Sequence, residues 1–148
     1  PKTKIKGLVL VGQDITIVSY GSTLDLVEKA AEELRSFNIS SEIIDCQSLI
    51  PFDIDHEILK SIEKTNRLLI VDEDFSGGAS AYILNELISN QNIYDYLDSS
   101  PKLLTAKNHR PAYGQDGDYF SKPSMDDIFD SVYDIMHESN PLKFPKTF

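Results

Sequence analysis

The sequence predicts an α/β fold built as a three-layer α/β/α sandwich, and three observations carry that expectation. Short apolar runs alternate with stretches whose apolar residues recur every three to four positions. The apolar runs are continuous, as in Leu68-Leu69-Ile70-Val71, which suits strands covered on both faces. The stretches between them are long enough for right-handed helical crossovers joining parallel strands. At 148 residues the chain has the length of one domain and can bury a core without staples. Residues 1–148 therefore read as a single unit, with 141–148 as a tail.

Leu8-Val9-Leu10-Val11 is the first strand, Gly12-Gln13-Asp14 a turn, and Ile15 to Tyr20 the second strand. So short a gap predicts an antiparallel hairpin at the sheet edge. After Gly21 the period changes. Leu24, Val27, Ala31 and Leu34 share one helical face, with Ala30 and Phe37 beside it. Ser22 is placed to cap this helix, and Asp25 occupies the matching box position. Ser41 to Ile44 is the third strand, and Asp53 starts a helix carrying Ile54, Ile58, Leu59 and Ile62. Arg67 to Val71 is a strand ending at Asp72-Glu73-Asp74. Gly77-Gly78 opens a helix whose apolar face holds Tyr82, Ile83, Leu87 and Ile88. Lys102-Leu103-Leu104-Thr105 is the last strand, followed by a Gly-, Pro- and Asp-rich loop through Pro123. Ser124 caps the final helix with Asp127 in the box, and Ile128, Val132, Ile135 and Met136 face inward. Asn140-Pro141 stops it.

Composition narrows the function classes. Hydrophobic content of 41% and charged content of 26% are ordinary for a globular domain. Fourteen basic against 24 acidic residues leave a formal charge of −10. Such a surface repels phosphate backbones, so neither nucleic acid nor an anionic membrane is expected as a partner. A basic protein surface suits it better. No apolar run approaches a membrane-spanning length and no signal peptide is visible, so the cytoplasm is the expected compartment. Pro1 stands where a starting methionine would, which suggests a processed chain or part of a longer one.

Several residues invite a chemical reading. Cys46 is the one cysteine, and near a strand end with no base beside it, it reads as a small core residue. Tyr20-Gly21-Ser22 offers an anion a helix start, yet it lacks the glycines of a dinucleotide or phosphate loop, and a tight turn explains Gly21 equally well. Asp72, Glu73 and Asp74 stand where open sheets put ligands, as a cation site or as solvated acids. Gly114-Gln115-Asp116-Gly117-Asp118 reads as a turn. His56 lies at a helix start, His109 beside Arg110 in the long loop, and His137 near the last helix end, where a positive charge suits the helix dipole. None of the three has a partner that would define acid–base work. Gly-x-Ser-x-Gly is absent, which argues against a serine hydrolase. No complete active site emerges.

Three motifs then occur in order: Asp14-Ile15-Thr16-Ile17-Val18-Ser19-Tyr20-Gly21, Ile44-Asp45-Cys46-Gln47-Ser48-Leu49-Ile50-Pro51-Phe52-Asp53, and Val71-Asp72-Glu73-Asp74-Phe75-Ser76-Gly77-Gly78. Together they resemble the C-terminal domain of the transketolase superfamily, nearest to the β subunit of the decarboxylating first component of 2-oxo acid dehydrogenase complexes. The resemblance covers nearly the whole chain. Gln47 stands where the family usually has arginine in Asp-Leu-Arg-Thr-Leu, which puts any salt bridge of that arginine in doubt. Gly77-Gly78-Ala79-Ser80-Ala81-Tyr82 also lacks the family's third glycine and following acid.

The resemblance implies a mixed five-stranded sheet with its first strand antiparallel at the edge. It implies a parent enzyme of the pyruvate or 2-oxoisovalerate type that uses thiamine diphosphate and magnesium and passes an acyl group to a lipoyl arm. The cofactor lies between other domains, so no catalytic, cofactor or metal residue is expected here, and the isolated domain is expected to be inactive. Its implied partners are the remaining domains or α subunit, further copies of itself, and the subunit-binding domain of the dihydrolipoyl acyltransferase core. For that core, Tyr94-Asp95-Tyr96-Leu97-Asp98 before Pro101 resembles the family's docking segment and points to Asp98. The chain-terminal carboxylate points to Phe148. Transketolase and deoxyxylulose-phosphate synthase share the fold and remain alternatives, as does a free-standing ligand-binding or signalling domain using the Asp72–Asp74 tip.

Overall fold

A computed structural model of the chain describes residues 7–75, 77–108 and 120–146. The strands are β1 (Leu8–Leu10), β2 (Ile15–Ser19), β3 (Ser41–Asp45), β4 (Leu68–Phe75), β5 (Lys102–Asn108) and β6 (Phe120–Ser121). The helices are α1 (Thr23–Arg35), α2 (Glu57–Thr65), α3 (Ala79–Gln91) and α4 (Met125–Ser139), with a short 3₁₀ turn at Ile93–Tyr96. The strand order is β1-β3-β2-β4-β5-β6. β3, β2, β4 and β5 run parallel, and β1 is antiparallel at the edge, as the family resemblance implies. A two-residue antiparallel strand, β6, extends the five at the opposite edge.

Side-chain alternation along the strands makes the three layers. Ile15 and Ile17 of β2, Ile43 of β3, and Leu69 and Val71 of β4 point one way, into a core closed by α1 and α4. Val18, Ile44, Leu68 and Ile70 point the other way, into a core closed by α2 and α3. Each is fully or almost fully buried, so each contributes about 1.5–3 kcal/mol of transfer free energy. The inward residues of α1 and α4 are those read from the period: Val27, Ala31, Leu34, Ile128, Val132, Ile135 and Met136.

The β1–β2 hairpin is not formed. β1 pairs with β3, Leu8 opposite Ile44, and β3 lies between β1 and β2. The turn read at 12–14 is instead a bridge over the start of β3. Gly12 sits so close to that strand that a Cβ there would fall 2.1 Å from the Ser41 carbonyl carbon. Asp14 N–H donates to Ser40 O at 2.8 Å, and Ser40 N–H donates to Asp14 Oδ2 at 2.7 Å. β2 is buried at every residue, which suits a strand between two parallel neighbours better than one at a hairpin edge.

Two helix starts also differ from expectation. Ser22 makes no cap; its hydroxyl donates to Glu73 Oε2 at 2.7 Å. α2 begins at Glu57, three residues after Ile54, which is turned out to solvent. Asp53 still serves that helix, its carboxylate accepting from Glu57 N at 2.9 Å and Ile58 N at 3.1 Å. His56 occupies the residue before the helix with φ +54°, exposed. The capping box of α4 is as read: Asp127 N–H donates to Ser124 Oγ at 3.1 Å and Ser124 N–H to Asp127 Oδ2 at 2.9 Å. Within α3, Ile83 and Leu87 are buried, whereas Tyr82 is 38% exposed.

Candidate functional site

A parallel sheet has two chemically different ends. At the carboxyl end the acids read as a strand tip lie inside β4, which runs to Phe75. Asp72 is fully buried. Its Oδ1 accepts from Tyr20 Oη at 2.5 Å and Asp74 N at 3.0 Å, and its Oδ2 accepts from Ser80 N at 3.0 Å. Asp72 thus caps α3 from the sheet, where Gly78 has no side chain to do so. Tyr20 is held in its phenol form, its pKa raised by burial and by the Asp72 carboxylate. Glu73 receives Ser22 and lies 3.9 Å from Lys122 Nζ.

Beside this network, the segment after β3 folds over a cleft of about 280 Å³. Ile44, Phe52 and Ile58 line it, with Asp45, Asp53 and Asp55. Asp53 is held above its ordinary carboxylate range by burial, against hydrogen bonds from Gln91 Nε2 at 3.2 Å and from the Ile58 and Glu57 amides. Cys46 packs against the α2–α3 core, and burial pushes its thiol up to about 11. A thiol so disfavoured as thiolate is a poor nucleophile, in keeping with a structural role. Gly21 has φ +64° and open space around it, so a tight turn explains it.

The amino-terminal end is stitched by long-range polar contacts. Thr16 Oγ1 meets the Ser61 and Thr65 hydroxyls at 2.6 and 2.7 Å. Buried Glu42 receives Ser61 Oγ at 2.5 Å and pairs with Lys64. Arg67, just before β4, donates to Asp14 O and to Ser139 Oγ, both at 2.9 Å, and its Nη2 lies 3.1 Å from Asp98 Oδ2. Asp98 therefore sits at this end as one half of an ion pair, with 44% of its side chain exposed. Its own N–H donates to Asn66 O at 3.0 Å. His137 lies near the end of α4, its Nδ1 2.7 Å from Phe144 O.

Phe148, His109, Arg110, Ser76 and the run from Gly114 to Asp118 lie outside the described residues. Sequence reading missed the parts played by Arg67, Glu42 and Tyr20. The signal for the first two is a charged residue abutting or interrupting an apolar strand, since such a charge needs a partner once buried. Thiamine diphosphate with magnesium needs carboxylates open to the metal. Both oxygens of Asp72 are held by protein donors, and no group of three metal-ligating side chains meets among the described residues. The described residues do not fit that cofactor.

Fold and site together define a doubly wound α/β/α domain with one antiparallel edge strand, whose most buried acid caps a helix. Residues 5–121 match the family described as "Transketolase, C-terminal domain", and the chain belongs to that family. Among curated relatives, the pyruvate dehydrogenase E1 component subunit beta of Mesostigma viride is 37% identical over 129 residues. The subunit of the same name from Rickettsia felis is 32% identical, and the mitochondrial one from Saccharomyces cerevisiae 30%. These alignments take in 87%, 86% and 84% of this chain but 39%, 39% and 34% of the relatives. The chain thus spans well under half their length. A solved structure titled "Split gene transketolase, inactive beta4 tetramer" superposes with a TM-score of 0.65 at 20% identity. It covers 90% of this chain and 41% of the other, and supports the fold.

Proposed function

We propose that this domain serves the decarboxylating first component of a thiamine diphosphate-dependent 2-oxo acid dehydrogenase, of the pyruvate type, as its assembly and docking part. The observation that carries this reading is the alignment of 84–87% of the chain with pyruvate dehydrogenase E1 β subunits. In this reading the cofactor, its magnesium and the decarboxylation belong to the remaining domains or the α subunit, and the acyl group passes to a lipoyl arm. Further copies of the chain assemble with it, in the cytoplasm.

Asp98, together with Phe148, docks the basic subunit-binding domain of the acyltransferase core. Arg67 orients Asp98 without enclosing it, and a carboxylate has lone pairs enough to accept from a second cation. The formal charge of −10 speeds approach of a basic partner, while the contact at Asp98 governs its residence. Calorimetric titration of the assembled first component with the core's subunit-binding domain tests this. An Asp98→Ala variant lacking the last residues is expected to bind at least tenfold more weakly, about 1.4 kcal/mol. Unchanged affinity overturns the docking role, and decarboxylation by this chain alone overturns the division of labour.

A further inference from the structure

We propose that the cleft at the carboxyl end of β3 is a second protein-docking surface. It takes up a lysine or arginine side chain, flanked by an aliphatic residue, from a polypeptide partner. This goes beyond the reading of Asp98, which lies at the other end of the sheet, and does not depend on it.

Three features set the chemistry of the occupant. The floor is apolar: Ile44, Ile58, Pro51 and Phe52 line it, and the first two are buried side chains of the α2–α3 core. The rim is acidic. Asp45 and Asp55 line the mouth, and neither takes part in an ion pair among the described residues. The other two acids of the lining are engaged, Asp53 in capping α2 and Glu57 with Lys60 at 3.5 Å. Ile54, which lines the cleft, is 70% exposed, and Ile50, the residue before the lining Pro51, is 86% exposed. Two isoleucines held so far into solvent beside an apolar cleft form the kind of patch that protein contacts cover.

A long basic side chain satisfies floor and rim together, since its methylene stem lies on apolar surface while its head reaches the carboxylates. The aliphatic neighbour then covers Ile50 and Ile54. At about 280 Å³ the cleft is at or below the size of pockets that enclose a whole small ligand, and suits one inserted side chain. A second copy of this chain, with its formal charge of −10, is a poor source for that cation, and nucleic acid poorer still.

Titration of the ¹⁵N-labelled 148-residue chain with capped 10-residue peptides, followed by amide shifts, tests the assignment. The peptides carry Leu-Lys-Leu, Leu-Arg-Leu, Leu-Glu-Leu or Ser-Lys-Ser at their centre, and butylammonium is run beside them. The Leu-Lys-Leu and Leu-Arg-Leu peptides are expected to move the amides of residues 45–57. An Asp45→Asn/Asp55→Asn variant should weaken that binding roughly fivefold and reduce its salt dependence. Ile54→Ser should weaken it too with its fold intact, because that side chain is exposed. Asp130→Asn, an exposed acid of α4, should leave it unchanged. No shift up to millimolar peptide, equal binding of Leu-Glu-Leu, or shifts centred elsewhere overturns the proposal. Butylammonium binding as tightly as Leu-Lys-Leu overturns the polypeptide occupant.

Discussion

The two ends of the sheet use polar side chains for opposite purposes. At the amino-terminal end, Thr16, Glu42, Ser61, Thr65 and Arg67 bond to one another or to distant connections, and the loops there are tied down. At the carboxyl end two acids, the buried Asp72 and the half-buried Asp53, each receive the backbone of a helix start, and an open cleft remains beside them. Open α/β sheets normally keep ligand chemistry at the carboxyl end. Here Asp72 and Asp53 at that end are employed as helix caps.

If that contrast is sound, Asp72→Ala has the largest effect. It leaves the buried Ser80 amide and the part-buried Tyr20 hydroxyl and Asp74 amide without their acceptor, so a loss of about 3 kcal/mol is expected in urea unfolding. A change under about 0.5 kcal/mol would show that Asp72 is not a structural acid, and would reopen a chemical role at that end.

Arg67→Ala probes the other end. It removes the bonds to Asp14 and Ser139 and the pair with Asp98 at once. The expected cost is about 2 kcal/mol, most of it from the two half-buried hydrogen bonds. An Asp98→Ala change should cost no more than about 1 kcal/mol, because that carboxylate is partly solvated. Equal costs would mean that the ion pair, and not the stitching, holds this end.

The smallest effect sharpens the carboxyl end. Burial raises the Asp53 carboxyl above its ordinary 3.8, so the native state keeps a proton that the unfolded chain has already lost. Its contribution is fully present below the unfolded value and is lost as pH rises through the native one. The stability difference between wild type and Asp53→Asn should therefore tilt against wild type from about pH 4 upward and flatten above the native value. A tilt in the other direction would show that the capping hydrogen bonds outweigh desolvation.

What was legible in the sequence was what is local. The box of Ser124 and Asp127 spans four residues, and the apolar faces of α1 and α4 repeat within a few turns. The partner of β1 was not legible, because pairing with β3 depends on residues more than 30 positions apart, and Gly12 alone hints at the close crossing. Ser22 looked like a cap on spacing grounds and was drawn off by Glu73, 51 residues away. Asp53 capped the helix it was read to cap, but across a turn that propensity gives no sign of. At the candidate site, Asp98 was singled out while its partner Arg67 was not, since an arginine before an apolar run gives no direction for its side chain. The two-residue β6 carries too few residues for any pattern.

The placement of β1 and β6 has a consequence for how the protein behaves in solution. A parallel sheet of hydrophobic strands exposes two rows of unpaired amides and carbonyls that invite other chains to add on. Here each outermost position is taken by an antiparallel stub, three residues long on one side and two on the other, and the longer is irregular between Leu8 and Leu10. Stubs so short and uneven make poor templates for further strands. Among the described residues the long apolar strands stay inside, away from the edges where strand addition would begin.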